Sequence, residues 1–151
     1  MHLSAKSDYA VRAAVQLAGS PDRPVKGDVI AQAQDIPFPF LGSILRDLRE
    51  AGIVNSQRGA DGGYWLAKPA AEITVADVIR AVDGPLAWVR GVRPEDLEYA
   101  GPARALQDVW IAARASLRDV LEAVTLADVA GGRLPASVRA LTAEPSAWEP
   151  H

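Results

Sequence analysis

The stretch that decides the fold is LRDLREAGIVNSQRGADGGYWLAK, residues 45–68. It opens with the apolar spacing of an amphipathic helix, and Gly52 is placed to end that helix as a left-handed cap. Two short strands are predicted next, at residues 53–58 and 63–67, separated by a tip where Gly59, Gly62 and Gly63 supply positive φ angles. We therefore predict a helix that leads into a β-hairpin with Arg58 beside its tip.

Further helices are predicted upstream. Residues 26–33 have the pattern of a short helix, residues 34–37 that of a tight connection, and residues 38–51 that of a longer helix. The longer helix has its apolar stripe at Leu41, Ile44, Leu45 and Leu48. An alanine-rich helix over residues 4–18 precedes both. Two helices around a brief turn, followed by a hairpin, form a winged helix-turn-helix.

The second half of the chain is predicted to be mostly helical. We expect a helix over residues 72–82 with Thr74 as its N-cap, a loop rich in Pro and Gly over residues 84–101, and short helices at residues 125–129 and 135–141. The longest helix is predicted at residues 102–124, and a stripe this apolar on one side usually packs against a partner. Its stripe consists of Leu106, Val109, Trp110, Ala113, Leu117, Val120, Leu121 and Val124.

The predicted fold class is mainly α with a small two-stranded β-wing. It is a winged helix-turn-helix followed by a long C-terminal dimerisation helix. We divide the chain into a winged helix-turn-helix (1–69), a linker helix with a candidate sensing loop (70–101), dimerisation helices (102–132) and a C-terminal tail (133–151).

Composition excludes several classes of function. The chain of 151 residues has no cysteine, and its two histidines are His2 and His151. Thiolate metal sites, cysteine nucleophiles and histidine acid–base sites are therefore not expected, and we predict neither an enzyme nor a bound cofactor. No apolar run approaches the roughly 20 residues of a membrane span, and the start does not resemble a signal peptide, so we expect a cytoplasmic protein.

The first half carries the features of a nucleic-acid reader. The net charge is −3, but residues 1–69 alone carry +1. If the apolar stripe of the helix at 38–51 is buried, the residues predicted on its opposite face are Phe40, Ser43, Arg46, Asp47 and Glu50, with Arg49 at the flank. A second helix of this kind enters the major groove, while Arg58 beside a narrow tip can reach a minor groove. The alternative is that these arginines only solvate exposed surfaces.

The hairpin motif RGxxGGY (58–64) and the following ITVADVIRAVDG (73–84) resemble the Rrf2 family of bacterial transcription regulators, as does SAKSDYAVRAAVQLA (4–18). The resemblance covers about residues 1–84 well and residues 102–129 more loosely. It implies a homodimer on a palindromic operator. It also implies DNA contacts from the start of the recognition helix and from the wing arginine. The complete predicted DNA-binding set is Lys26, Phe38, Phe40, Ser43, Arg46, Arg49, Arg58 and Gly59.

The chain departs from the family pattern in two places. Many members hold an iron–sulfur cluster with three cysteines before the dimerisation helix, whereas residues 88–104 contain none. Asp8 has the place of a further ligand in some members, but without thiolates we expect it to be a surface or interface carboxylate. The second departure is the set Pro39, Phe40, Gly42 and Ser43, which differs from the more polar residues of relatives and predicts a different operator.

We therefore predict a homodimeric, cluster-free transcription regulator that represses its own or a neighbouring promoter. The alternative is a winged-helix module that binds proteins and not DNA. An unknown small-molecule or protein effector is expected at the loop, where Trp88, Arg90, Arg93 and Tyr99 are candidates for a pocket. These aromatic residues could instead serve core packing or the dimer interface.

Overall fold

The computed structural model describes residues 3–150, so His2 and His151 lie outside the described residues. Four short 3₁₀ turns occur in this range, at Ala70–Glu72, Pro94–Asp96, Gly101–Ala103 and Pro145–Trp148. The helices are α1 (Ala5–Ala18), α2 (Gly27–Gln34), α3 (Phe38–Glu50), α4 (Val75–Asp83), α5 (Leu106–Leu121), α6 (Leu126–Ala130) and α7 (Ala136–Ala143). The strands are β1 (Val54–Gln57) and β2 (Gly63–Leu66). The predicted fold class is confirmed.

Helix α1 lies at the centre of the molecule. The hydroxyl of Ser4 accepts a hydrogen bond from the Ser7 backbone N–H at 2.9 Å and so caps the helix. Ala10, Ala13 and Ala14 are completely buried. Their small side chains let neighbouring elements approach the helix closely, and α1 contacts α2, α3, α4, α6 and β2.

The helix-turn-helix is formed by α2 and α3, as predicted. Asp35 ends α2 in the left-handed conformation with φ 50°, and its N–H bonds to the carbonyl of Ala31. Arg12 of α1 donates to the Gln34 carbonyl at 2.6 Å, which fixes the end of α2. The predicted stripe of α3 is confirmed, since its four leucine and isoleucine side chains are buried.

The wing is an antiparallel pair in which Val54 lies opposite Leu66 and Gln57 opposite Gly63. Val25 adds a bridge to Tyr64. Gly62 does not have a positive φ, contrary to the prediction, but a Cβ there would lie 2.1 Å from the carbonyl oxygen of Gln57. The tip therefore needs this glycine because two backbone segments meet there, and not because of its φ angle.

Helices α4 and α6 join the same core as the wing. Both begin with a capping box, formed by Thr74 with Asp77 and by Thr125 with Asp128, and Thr74 is the N-cap that the sequence predicted. The backbone N–H of Leu126 bonds to the carbonyl of Ile73 at 2.9 Å, and Leu126 is fully buried. The core of the first half thus extends past residue 69 and includes part of the segment expected to serve dimerisation.

The predicted helix at 102–124 is wrong at both ends. Residues 101–103 form a 3₁₀ turn, and α5 begins only at Leu106 and ends at Leu121. Val124 consequently leaves the helical stripe. It is 6% exposed and packs in the protomer, and its carbonyl accepts from the Val75 N–H at 2.9 Å. We therefore remove it from the predicted dimerisation surface.

The segment between α4 and α5 is more ordered than the predicted loop. Leu86, Pro94 and Leu97 are buried along it. Val89 and Val92 exchange two backbone hydrogen bonds of 3.0 Å around Arg90-Gly91, both with positive φ, which is a tight hairpin turn. Within residues 3–150 no helix has the length and apolar character that crossing a membrane requires.

Candidate nucleic-acid interface

The outer face of α3 combines large apolar side chains with a cation. Phe38 and Phe40 are 62% and 59% exposed, and the Arg46 side chain is 60% exposed. Ser43 is half-buried, and its hydroxyl donates to the Phe40 carbonyl at 3.0 Å within the helix. Exposed aromatic side chains are unusual for a solvated helix face, so this face has the character of a contact surface.

Phe40 is supported from behind by α1. Its ring centroid lies 6.4 Å from that of Tyr9. The Arg12 guanidinium lies over the Tyr9 ring, 4.9 Å from its centroid. Such aromatic and cation–π contacts favour a fixed ring orientation. Asp8, beside this group, pairs with Arg12 at 2.9 Å and is largely exposed, in keeping with the surface carboxylate we expected.

A lysine that the sequence analysis missed holds α3 in place. The ammonium of Lys6 lies 2.7 Å from Asp47 of α3 and donates to the Val82 carbonyl of α4 at 3.0 Å. The hydrogen bond from Lys6 is the main reason that the pKa of Asp47 is below its ordinary value of 3.8. Arg46 forms a second, longer ion pair with the same carboxylate at 3.6 Å, and its side chain remains 60% exposed.

The wing lies beside the C-terminal part of α3. Arg49 donates to the Ser56 hydroxyl of β1 at 3.4 Å, a long contact that spans the two elements. Arg58 is exposed next to Gly59, which has φ 107°, and forms no ion pair with any residue from 3 to 150. Lys26 is exposed at the start of α2, next to the Val25 that pairs with the wing. All eight predicted DNA-binding residues thus belong to the helix-turn-helix and its wing.

Part of the predicted dimerisation stripe packs inside the protomer, and part lies at its surface. Leu117 and Leu121 pack against the cluster of Ala76, Ile79 and Leu86 within the protomer. Trp110 donates from its indole to the Tyr99 hydroxyl at 3.0 Å. The remaining residues form an apolar edge that is exposed at Leu106 and Val109 and half-buried at its other two residues, and α5 has no fully buried residue. This edge consists of Leu106, Val109, Ala113 and Val120.

Three of the four residues predicted to form an effector pocket, Trp88, Tyr99 and Arg93, line three different cavities. Trp88 lines a cavity of about 530 Å³ together with Ser7, Asp83 and Leu117. Tyr99 contacts Trp110 and lies under the Arg90 guanidinium at 5.9 Å. Arg93 lines a separate, smaller cavity. These residues are close together along the chain, but the tight turn at 89–92 lies between Trp88 and Arg93, which line different cavities.

The residues present do not fit an iron–sulfur cluster. Such clusters are held by thiolates, and the sequence has no cysteine. Across residues 3–150 there is also no group of three or more histidine and acidic side chains that could hold a metal ion.

The fold and this surface define a winged helix-turn-helix protein of the DNA-binding type. A family model named Rrf2 and described as an iron-dependent transcriptional regulator matches residues 3–132. A Mycobacterium tuberculosis H37Rv protein whose name places it among HTH-type transcriptional regulators is 55% identical over 150 residues, covering 99% of this chain and 93% of the relative. The chain belongs to the Rrf2 family of transcriptional regulators.

Solved structures agree with this assignment. The structure of CymR, the global cysteine regulator of Bacillus subtilis, has a TM-score of 0.74 at 34% identity and covers 87% of this chain and 98% of that one. The T. potens IscR structure has a TM-score of 0.69 at 31% identity and covers 100% of this chain and 93% of that one. Both structures share more than 30% of their residues with this chain in addition to the fold.

Proposed function

We propose that this chain represses transcription as a homodimer that binds a palindromic operator, with α3 in the major groove and the wing at the adjacent minor groove. The observation that carries this proposal is the exposed face of α3, where Phe38, Phe40 and Arg46 project from a helix fixed by the Lys6–Asp47 pair. A reader of base edges must be held rigidly, because contacts to bases depend on a defined approach.

The contacts divide by chemistry. Arg46 suits a bidentate contact to guanine, and the two phenylalanines suit apolar contacts such as a thymine methyl group. Arg58, without an ion-pair partner in the described part of the chain, is free to enter a narrow minor groove. We assign Lys26, Arg49 and Ser43 to phosphates, and Gly59 to the close approach of the wing backbone.

The dimer is proposed to form through the apolar edge of α5. Val109 is 52% exposed and Leu106 is 38% exposed, so two copies could cover apolar surface that one copy leaves in water. A two-fold axis between two α5 helices would place two copies of α3 in the symmetric arrangement that a palindrome matches. Repression follows if the bound dimer occupies promoter DNA.

We propose that regulation does not use an iron–sulfur cluster, although the family description names iron. The support is the chemistry of the ligands, since no thiolate is encoded. We likewise propose a protein without catalytic activity that acts in the cytoplasm, where the chromosome is. An absorption spectrum after anaerobic purification should lack visible bands, and cluster bands would overturn this part of the proposal.

DNA binding is tested by fluorescence anisotropy with a duplex from the chain's own promoter region, titrated at several salt concentrations. We expect tighter binding than to a scrambled duplex, with log K falling linearly against log salt. Arg46→Ala should lose about 1–3 kcal/mol and relax sequence preference. Arg139→Ala is the matched control, because Arg139 is an exposed arginine on α7.

Two results would reject the proposal. One is equal affinity for promoter and scrambled duplexes at every salt concentration. The other is unchanged binding in the double variant Arg46→Ala/Arg58→Ala when circular dichroism shows that it is folded. Either result would favour a module that binds proteins through Phe38 and Phe40.

A further inference from the structure

Four arginine side chains converge on one small cavity between α4, α5 and the segment that joins them. Arg80 comes from α4, Arg93 from the joining segment, and Arg114 and Arg118 from α5. The cavity has a volume of about 190 Å³, residues 85–87 contribute its apolar wall, and the carboxylate-bearing Glu95 also lines it. Four arginines from three separate segments of the chain therefore line one cavity.

This convergence is opposite to the charge of the surrounding chain. Residues 70–151 contain eight arginines and no lysine against twelve acidic residues, so this half carries −4. Four of those eight arginines line a single cavity. Like charges repel at short distance, so grouping half of the cations in an acidic segment requires something that offsets the repulsion.

Carboxylates of the chain offset the repulsion among the four arginines only in part. Arg114 pairs with Glu95, and Arg80 and Arg118 share Glu122, the latter at 3.0 Å. The hydrogen bond from Arg80, followed by that from Arg118, lowers the pKa of Glu122, so this carboxylate stays ionised. Arg80 also lies 3.9 Å from Asp77. Except for Arg114, whose side chain is 21% exposed, these side chains are more than one-third exposed, and ion pairs at such positions contribute little to stability.

Arg93 is the one of the four arginines that takes part in none of these ion pairs. It forms no ion pair within residues 3–150, yet it lines the cavity with the three paired arginines. A planar guanidinium presents two parallel N–H donors that match the oxygens of a phosphoryl group. Because drug-sized ligands occupy pockets of about 300 Å³ or more, the cavity suits a smaller ion.

We propose that this cavity binds a small polyanion carrying phosphoryl groups, with Arg93 as its free anchor and Arg80, Arg114 and Arg118 as further donors. The anion would compete with Glu95 and Glu122 for these arginines and bridge α4, α5 and the joining segment. The site is separate from the proposed DNA-reading face, and its occupation does not require that the chain binds DNA.

The proposal is tested by isothermal titration calorimetry of the full chain with sodium pyrophosphate at constant ionic strength, with acetate as the monoanion control. We expect saturable pyrophosphate binding and no measurable acetate binding. Arg93→Ala should weaken pyrophosphate binding at least about tenfold, which is roughly 1.4 kcal/mol. It should leave the fold intact, because it breaks no ion pair of the described chain.

Two controls separate this site from general attraction to positive charge. Arg139→Ala removes an exposed arginine elsewhere, and Arg46→Ala/Arg58→Ala removes the two cations of the DNA-reading face; both should bind pyrophosphate like the unaltered chain. Absence of binding to the unaltered chain would overturn the proposal. So would binding that Arg93→Ala leaves unchanged, or binding that only the Arg46→Ala/Arg58→Ala variant loses.

Discussion

Gly62 is the residue on which the shape of the wing depends most directly. A methyl group at this position would lie 2.1 Å from the Gln57 carbonyl oxygen, and the neighbouring atoms are backbone, which cannot rotate away. We predict that Gly62→Ala destabilises the fold by about 1–3 kcal/mol, the usual cost of forcing extra atoms into a packed site. Thermal and urea unfolding measure this cost.

Gly42 provides the contrast. It lies in α3, and a Cβ there would meet no atom within 4 Å. Gly42→Ala should therefore stabilise the protein by about 0.5–1 kcal/mol, because alanine restricts the unfolded chain more than glycine does. If both substitutions lowered stability equally, close backbone approach would not be the reason for Gly62.

Local residue patterns predicted the exposed face of α3 and the wing, but they did not predict Lys6, the residue that links α3 to α1 and α4. The stripe of α3 and the glycines of the tip are local features, so the exposure of Phe40, Arg46 and Arg58 could be predicted from spacing alone. Lys6 could not be predicted as a supporting residue, because its partner Val82 is 76 positions away and no local pattern joins them.

At the scale of elements, the Lys6–Asp47 pair is the polar link between α1 and α3. The lowered pKa of Asp47 means that the ionised form is favoured by the fold. Its stabilising effect is therefore present above the ordinary value of 3.8 and is lost as the pH falls through the lower folded value.

We predict that Asp47→Asn destabilises the protein at pH 7 by about 1 kcal/mol or less, since Lys6 is partly exposed. The difference from the unaltered chain should shrink as the pH falls below 3.8. Melting temperatures from pH 7 downward measure it, with Asp22→Asn in an exposed turn as the control. A difference that stays constant with pH would show that charge at Asp47 does not stabilise the link.

Helix ends in the second half depended on interactions between distant segments. The apolar spacing correctly indicated α5, but the spacing continued through Val124 because it cannot distinguish a helix stripe from a buried turn. The backbone bonds from residues 73–75 to residues 124–126 decide that end of α5. They also place α6 in the first core, which composition and spacing did not indicate.

At the scale of the whole molecule, the proposed homodimer depends on the apolar edge of α5. Val109 is half-exposed, so a charge there should not disturb the protomer. We predict that Val109→Glu produces particles near the 16.0 kDa of one chain, while the unaltered chain forms particles of twice that mass. Ala115→Glu is the matched control, since Ala115 is exposed on the opposite side of α5.

Light scattering after size-exclusion chromatography distinguishes these states. If Val109→Glu remained dimeric, or if Ala115→Glu alone dissociated, the dimer would form through a different surface. A monomeric Val109→Glu that retained full affinity for a two-fold symmetric duplex would separate dimerisation from operator binding.

The central claim is that α3 and the wing read two adjacent grooves, and chemical footprinting on a promoter duplex tests it most directly. Dimethyl sulfate reports guanine N7 in the major groove and adenine N3 in the minor groove. We predict two symmetric protected sites about 10 base pairs or a multiple apart. Arg46→Ala should lose the guanine protection, and Arg58→Ala should lose the flanking minor-groove protection. A footprint that neither substitution changes, or no footprint at all, would contradict the account.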